Sequence, residues 1–182
     1  MDQIISISLF VLFLALVLPR IDTYLSAHPH ISRIIKYLIL SMYLFANLNE
    51  TLLFRKTNSL NPIKLQPLWS YRKALQLYGG VAISNSSLLK QIILNILLYI
   101  PMGYLLPFVW PGLRKQAPEL KFSWRVVLIG FFASLCTELT QLIFRIGWFE
   151  IDDILNNTLG CLIGYLLFEI IYRQNDKRTS GN

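Results

Sequence analysis

Acidic and amide side chains occur within and beside apolar segments of this sequence, and these residue types can do chemistry. Glu138 lies about 9 Å from the end of the apolar segment Val126–Phe144, at 1.5 Å of rise per helical residue. Such a segment is long enough to cross a bilayer as a helix. A charged carboxylate inside a membrane helix costs ~2.5–3.5 kcal/mol on insertion scales. We therefore expect Glu138 to have either a partner or a function.

Further polar residues follow helical spacing on two segments. Glu138 and Gln141 lie one turn apart, and Arg145, one turn further along the same face, is the nearest candidate partner for Glu138. Asp153 and Asn157 have the i, i+4 spacing of a second helical face. Because consecutive membrane helices alternate in direction, we expect these polar residues near one membrane face. The predicted ligand-binding pocket there comprises Asn95, Glu138, Gln141, Asp152, Asp153 and Asn157.

The same features also have structural interpretations, and both kinds stay open at the level of sequence. Asp152 or Asp153 is suited to capping the N-terminus of the fifth helix, where acids accept from free N–H groups. Asn95 and Gln141 are suited to interhelical hydrogen bonds, worth ~0.6–2 kcal/mol each. Four residues are predicted to act structurally, through a proline kink or close helix packing: Pro101, Gly103, Gly160 and Gly164.

Carboxylates and amides in one poorly hydrated pocket support two kinds of chemistry. They are the oxygen ligands that Mg²⁺ and Ca²⁺ prefer, and two carboxyls can divide the roles of acid and base. Charge pairing with Arg145 competes with both. The only histidines, His28 and His30, are expected on the opposite face, and the sequence has no HExxH motif or phosphate-binding glycine loop. The residue types therefore assign no catalytic residue, metal ligand or cofactor.

The composition is that of a membrane protein. Hydrophobic residues make up 54% of the 182 residues and charged residues only 15%, with a mean hydropathy of +0.50. Soluble domains carry roughly a quarter charged residues. The net charge of +7 comes from Lys and Arg clustered between apolar runs, without the stripe or module typical of nucleic-acid binding. The expected partners of these charges are therefore membrane lipids and not nucleic acid.

Five apolar runs predict an all-α integral membrane bundle with about five transmembrane helices: Ile4–Leu18, Ile34–Phe54, Leu88–Phe108, Val126–Phe144 and Ile154–Tyr172. The first is expected to be retained, because it has neither the basic flank nor the cleavage site of a signal peptide. The connection Arg55–Ser87 mixes aromatic residues with Lys and Arg. We therefore expect an interfacial or re-entrant segment between helices 2 and 3.

Domain boundaries and orientation follow from the same pattern. The predicted parts are an N-terminal pair of transmembrane helices (1–58), a membrane domain (59–173) and a polar, frayed C-terminal tail (174–182). The loops on the side opposite the pocket carry the larger share of Lys and Arg. The positive-inside rule therefore places those loops in the cytoplasm and the pocket outside.

Three stretches resemble the sequence blocks of the VanZ-like family of bacterial membrane proteins. Residues 94–107, LNILLYIPMGYLLP, resemble its N-x-(apolar)-P-x-G block, and residues 134–144, SLCTELTQLIF, resemble its S-(apolar)-E-(apolar)-Q block. Residues 148–165, WFEIDDILNNTLGCLIGY, are similar to the block with paired aspartates and N-T-L-G. A shorter likeness covers residues 65–70, LQPLWS.

Carried over residue by residue, this resemblance implies a set of signature positions: Asn95, Pro101, Gly103, Glu138, Gln141, Asp153, Asn157 and Gly160. The chain departs from the family pattern at three places. Glu150 stands where Asp is usual, Asn156 replaces an apolar residue, and Gly147 occupies a position where some members carry arginine. A role that depends on that arginine is therefore not implied for this chain.

The resemblance implies a multi-pass protein of the bacterial cell membrane with a role in low-level resistance to teicoplanin-type glycopeptides, through reduced drug binding at the cell surface. The implied partners are membrane lipids, a lipid-linked cell-wall precursor or a lipoglycopeptide. The alternative is a membrane-embedded hydrolase or transferase acting on a lipid-linked envelope substrate, with Glu138 and Asp153 as acid, base or metal ligands. A small transporter or flippase is a third, weaker reading, because the sequence shows no internal repeat.

Overall fold

The computed structural model of the protein describes residues 13, 17, 27–53, 63–75, 77–78, 81–82, 86–114 and 123–180. The α-helices are α1 (Pro29–Leu48), α2 (Trp69–Leu75), α3 (Ser86–Val109), α4 (Trp124–Phe144) and α5 (Ile151–Ser180). The two-residue strands are β1 (Ile63–Lys64), β2 (Leu77–Tyr78), β3 (Val81–Ala82) and β4 (Phe149–Glu150). A π-helical turn, Asn49–Leu53, continues α1, and a 3-10 turn, Pro111–Leu113, follows α3.

Four helices in the described part of the chain are long and apolar enough to cross a membrane: Pro29–Leu52, Ser87–Val109, Trp124–Phe144 and Ile151–Tyr172. The prediction of an all-α, multi-pass membrane bundle is confirmed. Most of the first predicted run, Ile4–Leu18, lies outside the described residues, as does the predicted domain boundary at residue 58. Helix α5 continues to Ser180, within the predicted polar tail (174–182).

The pair α3 and α5 forms the centre of the bundle, and small residues let the two backbones touch. A Cβ atom added to Gly160 would lie 2.2 Å from the carbonyl oxygen of Ile96, and one added to Gly164 would lie 1.9 Å from that of Ile100. In the other direction, a Cβ atom on Gly103 would lie 1.8 Å from the carbonyl oxygen of Cys161. No side chain fits at any of these three positions, which is the basis of small-residue helix packing in membranes.

Helix α3 runs through two prolines, Pro101 and Pro107. Proline has no N–H, so Pro101 leaves the carbonyl of Leu97 without its usual helical partner. The hydrophobic core surrounds this part of α3 and contains fully buried aromatic side chains: Tyr99, Tyr104, Phe108, Tyr165 and Phe168.

Residues 63–75, which we call the cover segment, fold back onto the bundle. The strand β1 pairs in parallel with β4, with Ile63 opposite Phe149 and Lys64 opposite Glu150, and α2 packs against α3. Ser70 is buried. The large apolar side chains of the segment are mostly exposed: Ile63, Leu65, Leu68 and Leu75. The cover segment is therefore attached to the bundle through polar contacts as well as through the buried Ala74.

Helix α1 packs on the outer side of α3. The hydroxyl of Tyr43 donates to the carbonyl oxygen of Leu98 at 2.8 Å, and the side-chain amide of Asn47 donates to the Tyr43 hydroxyl at 3.2 Å. The Thr51 hydroxyl donates to the carbonyl oxygen of Asn47 at 2.8 Å. This chain of hydrogen bonds carries polar contacts from the π-helical turn into the interior of the bundle.

Candidate functional site

Buried polar side chains gather at the end of the bundle where α3 and α5 begin and α4 ends. They come from α4, α5 and the cover segment, and the half-buried side chains of Gln91 and Asn95 lie on α3. The acidic members of this group are nearly inaccessible: Glu138 is 2% exposed, Asp152 0% and Asp153 4%. Charged groups this deeply buried are costly unless hydrogen bonds or a ligand stabilise them. The contacts of each one therefore decide what the group can do.

Asp152 binds the start of α2 in the cover segment. Its Oδ1 accepts from the backbone N–H of Leu68 at 2.6 Å, and its Oδ2 accepts from the backbone N–H of Ser70 at 2.9 Å and from the Ser70 hydroxyl at 2.5 Å. The first N–H groups of a helix have no partner within the helix, so a carboxylate there satisfies them. Asp152 thus caps a helix other than its own, and its recorded bonds hold the cover segment in place.

One turn further along α5, Asn156 makes a second contact with the cover segment. The hydroxyl of Tyr71 donates to Oδ1 of Asn156. Burial raises the pKa of the Tyr71 hydroxyl above its ordinary value, and the carboxylates of Asp152 and Asp153 add to this. Tyr71 therefore stays protonated and able to donate at neutral pH.

Glu138 points toward the turn that joins α4 to α5. Its Oε2 accepts from the backbone N–H of Glu150 in β4 at 3.0 Å. Arg145, the partner expected from sequence, ends α4 in a left-handed backbone conformation (φ 55°), and its side chain is exposed. The carboxylate of Glu138 therefore accepts a hydrogen bond from the backbone of β4, the strand that pairs with the cover segment.

Asp153 and Asn157 face the neighbouring helices. Nε2 of Gln91 in α3 lies 3.4 Å from Oδ2 of Asp153, and Nδ2 of Asn157 donates to the Ser134 hydroxyl of α4 at 2.8 Å. Asn95 lies one turn after Gln91 on α3. These residues connect the three helices around one polar interior.

Gln141 on α4 contacts the π-helical turn that continues α1. Its Nε2 donates to the carbonyl oxygen of Thr51 in the π-helical turn at 3.0 Å, and its side chain is 1% exposed. A π-turn displaces the regular helical bonds, so a carbonyl there can accept from another helix. The structure thus gives Gln141 a contact that joins α4 to the end of α1.

Several buried polar atoms of this cluster have no hydrogen-bond partner among the described residues: Asn95 Nδ2, Asn156 Nδ2, Asn157 Oδ1 and Trp69 Nε1. Each such atom costs about 1–3 kcal/mol relative to its hydrated state. Native proteins contain few of them, and ordered water or a ligand often supplies the missing bond. The four atoms belong to the three helices α2, α3 and α5, on the side of the bundle where the cover segment packs.

The rim of the cluster is basic and aromatic. The ammonium nitrogen of Lys64 lies 5.0 Å from the ring centroid of Trp69 and 5.5 Å from that of Trp148. The ammonium nitrogen of Lys73 lies 5.9 Å from the Trp69 centroid. Lysine and tryptophan side chains of this kind are typical of the headgroup region of a membrane.

Comparison with known proteins assigns the family. The sequence profile of the VanZ/LLP1 family matches residues 34–172. The protein belongs to the VanZ/LLP1 family. The matched range contains α1 from Ile34 onward, the cover segment, α3, α4 and all of α5 that reaches the polar cluster, so the cluster lies wholly within the VanZ/LLP1 region. No curated protein and no solved structure matches the chain.

Within the described ranges, the VanZ/LLP1 cluster contains no group of three His, Cys, Asp or Glu side chains placed to hold a metal ion. Its recorded contacts instead join carboxylates to N–H and hydroxyl donors. Such a set can bind hydroxyl groups and amides, and it can hold a proton on one carboxyl while another stays ionised.

Several residues of the VanZ/LLP1 cluster were absent from the predicted pocket, among them Ser70, Tyr71 and Asn156. Asn156 carried a usable signal, because it lies four residues after Asp152 and so shares its helical face. In the sequence it stood out only as a departure from an apolar position. Ser70 and Tyr71 carried no such signal, since their partners are more than eighty residues away in the chain.

Proposed function

We propose that this VanZ-family protein alters how the bacterial cell envelope meets teicoplanin-type glycopeptides and so gives low-level resistance to them. It does this by engaging a membrane lipid, a lipid-linked precursor or the drug itself in its polar cluster. The observation that carries the proposal is the set of four buried polar atoms without partners, Asn95 Nδ2, Asn156 Nδ2, Asn157 Oδ1 and Trp69 Nε1. Family membership supports the membrane setting.

The free-energy cost of burying unpaired amide groups supports a ligand-binding role over a purely structural one. Apolar side chains of similar size would pack the same volume without the free energy that unpaired amides cost. Stability alone therefore does not explain why α3 and α5 both present amides at this end of the bundle. A polar group that enters the cluster supplies the missing hydrogen bonds.

Access to the cluster depends on the cover segment. Because Asp152 and Asn156 hold it by hydrogen bonds while its apolar residues stay mostly exposed, it can move with little loss of buried apolar area. Elements with few buried apolar contacts open at lower free energy than the core. We infer that a ligand enters from the headgroup region by displacing this segment.

The direct test is teicoplanin susceptibility of a sensitive host that expresses the protein. We expect the wild type to raise the inhibitory concentration, and Glu138→Gln to abolish the increase. Glutamine keeps an oxygen that can accept from the backbone N–H of Glu150, so the contact at 3.0 Å is preserved while the charge is lost.

The matched control is Glu169→Gln. Glu169 also lies in a membrane helix, accepts from the hydroxyl of Tyr165 at 2.8 Å, and is about three turns from Asn157, the nearest residue of the polar cluster on α5. We expect it to behave like the wild type. Unchanged susceptibility in cells with confirmed membrane expression of the wild type contradicts the proposal.

A second candidate function is a hydrolase or transferase acting on a lipid-linked envelope substrate. Two deeply buried carboxylates, Glu138 on α4 and Asp153 on α5, support it, because neighbouring carboxyls in a desolvated site can act as acid and base. Lipid and glycopolymer profiling of cells with the wild type and with Glu138→Gln separates the two. An enzyme changes the profile, whereas a binding protein changes susceptibility with the profile unaltered.

A further inference from the structure

We propose that the ligand of the polar cluster is an anionic phosphate headgroup that carries a neutral hydroxylated group. The hydroxylated part enters the interior and the phosphate stays at the rim. This inference rests on the proposed function and adds the chemical class of the ligand. Two sources share this chemistry, namely a glycerophospholipid with a glycerol headgroup and a sugar linked to a lipid phosphate.

The interior of the cluster selects a neutral group. Asn95 and Asn156 leave amide N–H donors without partners, whereas Asn157 leaves an amide oxygen acceptor. A phosphate only accepts and an ammonium only donates, so neither satisfies both kinds of atom. A hydroxyl group donates and accepts at once.

The orientation of the amide groups supports this assignment. Asn156 is 1% exposed and its amide faces the cover segment, where its Oδ1 accepts from Tyr71. Asn157 is 4% exposed and its amide faces α4, where its Nδ2 donates to Ser134. Both unpaired atoms therefore belong to amides directed into the polar interior and not toward lipid.

Charge also keeps a phosphate out of the interior. Asp152 and Asp153 are both buried and adjacent in sequence. A phosphate placed beside two carboxylates in a region of low dielectric is repelled strongly. A neutral hydroxylated group does not meet this penalty.

The rim provides the opposite charge. Lys64 and Lys73 both lie against the ring of Trp69, and Lys64 also lies against Trp148. Lys64 belongs to β1, which pairs with the strand that bonds to Glu138, so this basic rim adjoins the polar interior. A phosphate that binds the two ammonium groups leaves its hydroxylated substituent next to the amides.

The test is native mass spectrometry of the full-length protein in detergent, incubated with equal amounts of phosphatidylglycerol, phosphatidic acid and a glucosyl diacylglycerol. The first has both the phosphate and the hydroxyls, the second only the phosphate, and the third only the hydroxyls. We expect phosphatidylglycerol to be retained about five-fold more than either, as one or two hydrogen bonds allow. Phosphatidic acid carries at least as much negative charge, so this preference is not an effect of charge.

Two variants separate the two halves of the site. Asn95→Leu removes an unpaired amide and is expected to fold at least as well as the wild type, yet to retain phosphatidylglycerol and phosphatidic acid equally. The double variant Lys64→Gln, Lys73→Gln is expected to weaken retention of both anionic lipids roughly thirty-fold, at about 1 kcal/mol for each lysine. The ratio of retained phosphatidylglycerol to retained phosphatidic acid should be the same in this double variant as in the wild type.

The matched control is Arg125→Gln, because Arg125 lies 5.9 Å from the ring centroid of Trp124 at the opposite end of α4. We expect no change in retention. Displacement of phosphatidylglycerol by a prenyl-diphosphate-linked disaccharide assigns the ligand to the second source, and persistence assigns it to the first.

Equal retention of phosphatidylglycerol and phosphatidic acid by the wild type overturns the inference. An Asn95→Leu variant that still prefers phosphatidylglycerol also overturns it, because the amide of Asn95 then binds only water. In either case a teicoplanin phenotype that depends on Glu138 leaves the proposed function standing. Conversely, a lipid preference without any susceptibility phenotype rejects the resistance role and keeps the ligand class.

Discussion

Asp152 accepts a hydrogen bond from the backbone N–H of Ser70 at 2.9 Å, and 82 residues of sequence separate the two. This bond and its two neighbours join the first turn of α5 to the first turn of α2. The attachment of α2 to α5 at this point therefore depends on one carboxylate. A single substitution at Asp152 is thus expected to change the position of the cover segment.

Asp152→Ala is expected to release the cover segment. Three hydrogen bonds to a charged acceptor are lost, so opening of residues 63–75 should become easier by about 3 kcal/mol, or roughly a hundred-fold. Hydrogen exchange of peptides from this segment measures the effect. The variant Glu169→Gln serves as control, and unchanged protection of residues 63–75 in Asp152→Ala contradicts the prediction.

Tyr71→Phe is expected to remove a pH-dependent part of the stability. Burial and the carboxylates of Asp152 and Asp153 raise the pKa of this hydroxyl in the folded protein. A raised pKa means that the stabilisation is complete below the unfolded value of about 10 and is lost as the pH rises through the higher folded value. At pH 8 the wild type should therefore have the higher midpoint of thermal unfolding. The difference between its midpoint and that of Tyr71→Phe should become smaller as the pH is raised to 11. A difference that is constant across this range contradicts the assignment.

Gly160→Ala is expected to destabilise the central helix pair. The added Cβ atom would lie 2.2 Å from the carbonyl oxygen of Ile96, so α3 and α5 must move apart, at a cost of about 2 kcal/mol. Gly112→Ala is the matched control, because a Cβ atom there meets nothing within 4 Å. Thermal unfolding in detergent should separate the two variants, and equal midpoints would show that the interface tolerates expansion.

Gln141→Leu is expected to loosen the attachment of α1. It removes the bond from Nε2 to the carbonyl oxygen of Thr51, and we expect a loss of about 1 kcal/mol. Thr140→Val is the control, because the Thr140 hydroxyl donates to Cys136 within its own helix. Thermal unfolding measures both, and a Gln141→Leu variant as stable as Thr140→Val would assign no stability to the interhelical bond.

The helices and their polar ends could be predicted because both follow from local pattern. Long apolar runs fixed the membrane helices to within a few residues, and alternation of direction placed Glu138 and Asp153 at the same end of the bundle. Gly160 and Gly164 carry their spacing in the sequence, so their position on one face of α5 needed no further information.

The contacts that complete the cluster could not be predicted in the same way. Asp152 was expected to line the ligand-binding pocket or to cap α5, whereas its bonds go to Leu68 and Ser70. Arg145 shares a helical face with Glu138 by spacing, yet it ends α4 with an exposed side chain. Periodicity in the sequence describes one helix at a time. It therefore predicts neither the packing of the cover segment on α5 nor the left-handed conformation in which α4 ends.

The backbone contact between α3 and α5 determines where this molecule can change shape. With Gly160 against Ile96 and Gly164 against Ile100, rotation of α5 about its own axis would replace these glycines by residues that carry a Cβ atom, for which the contact leaves no room. We therefore expect any opening of the cover segment to involve α2 and the strands beside it, while α3 and α5 keep their separation. Probes placed on α3 and α5 should report one constant separation in every functional state.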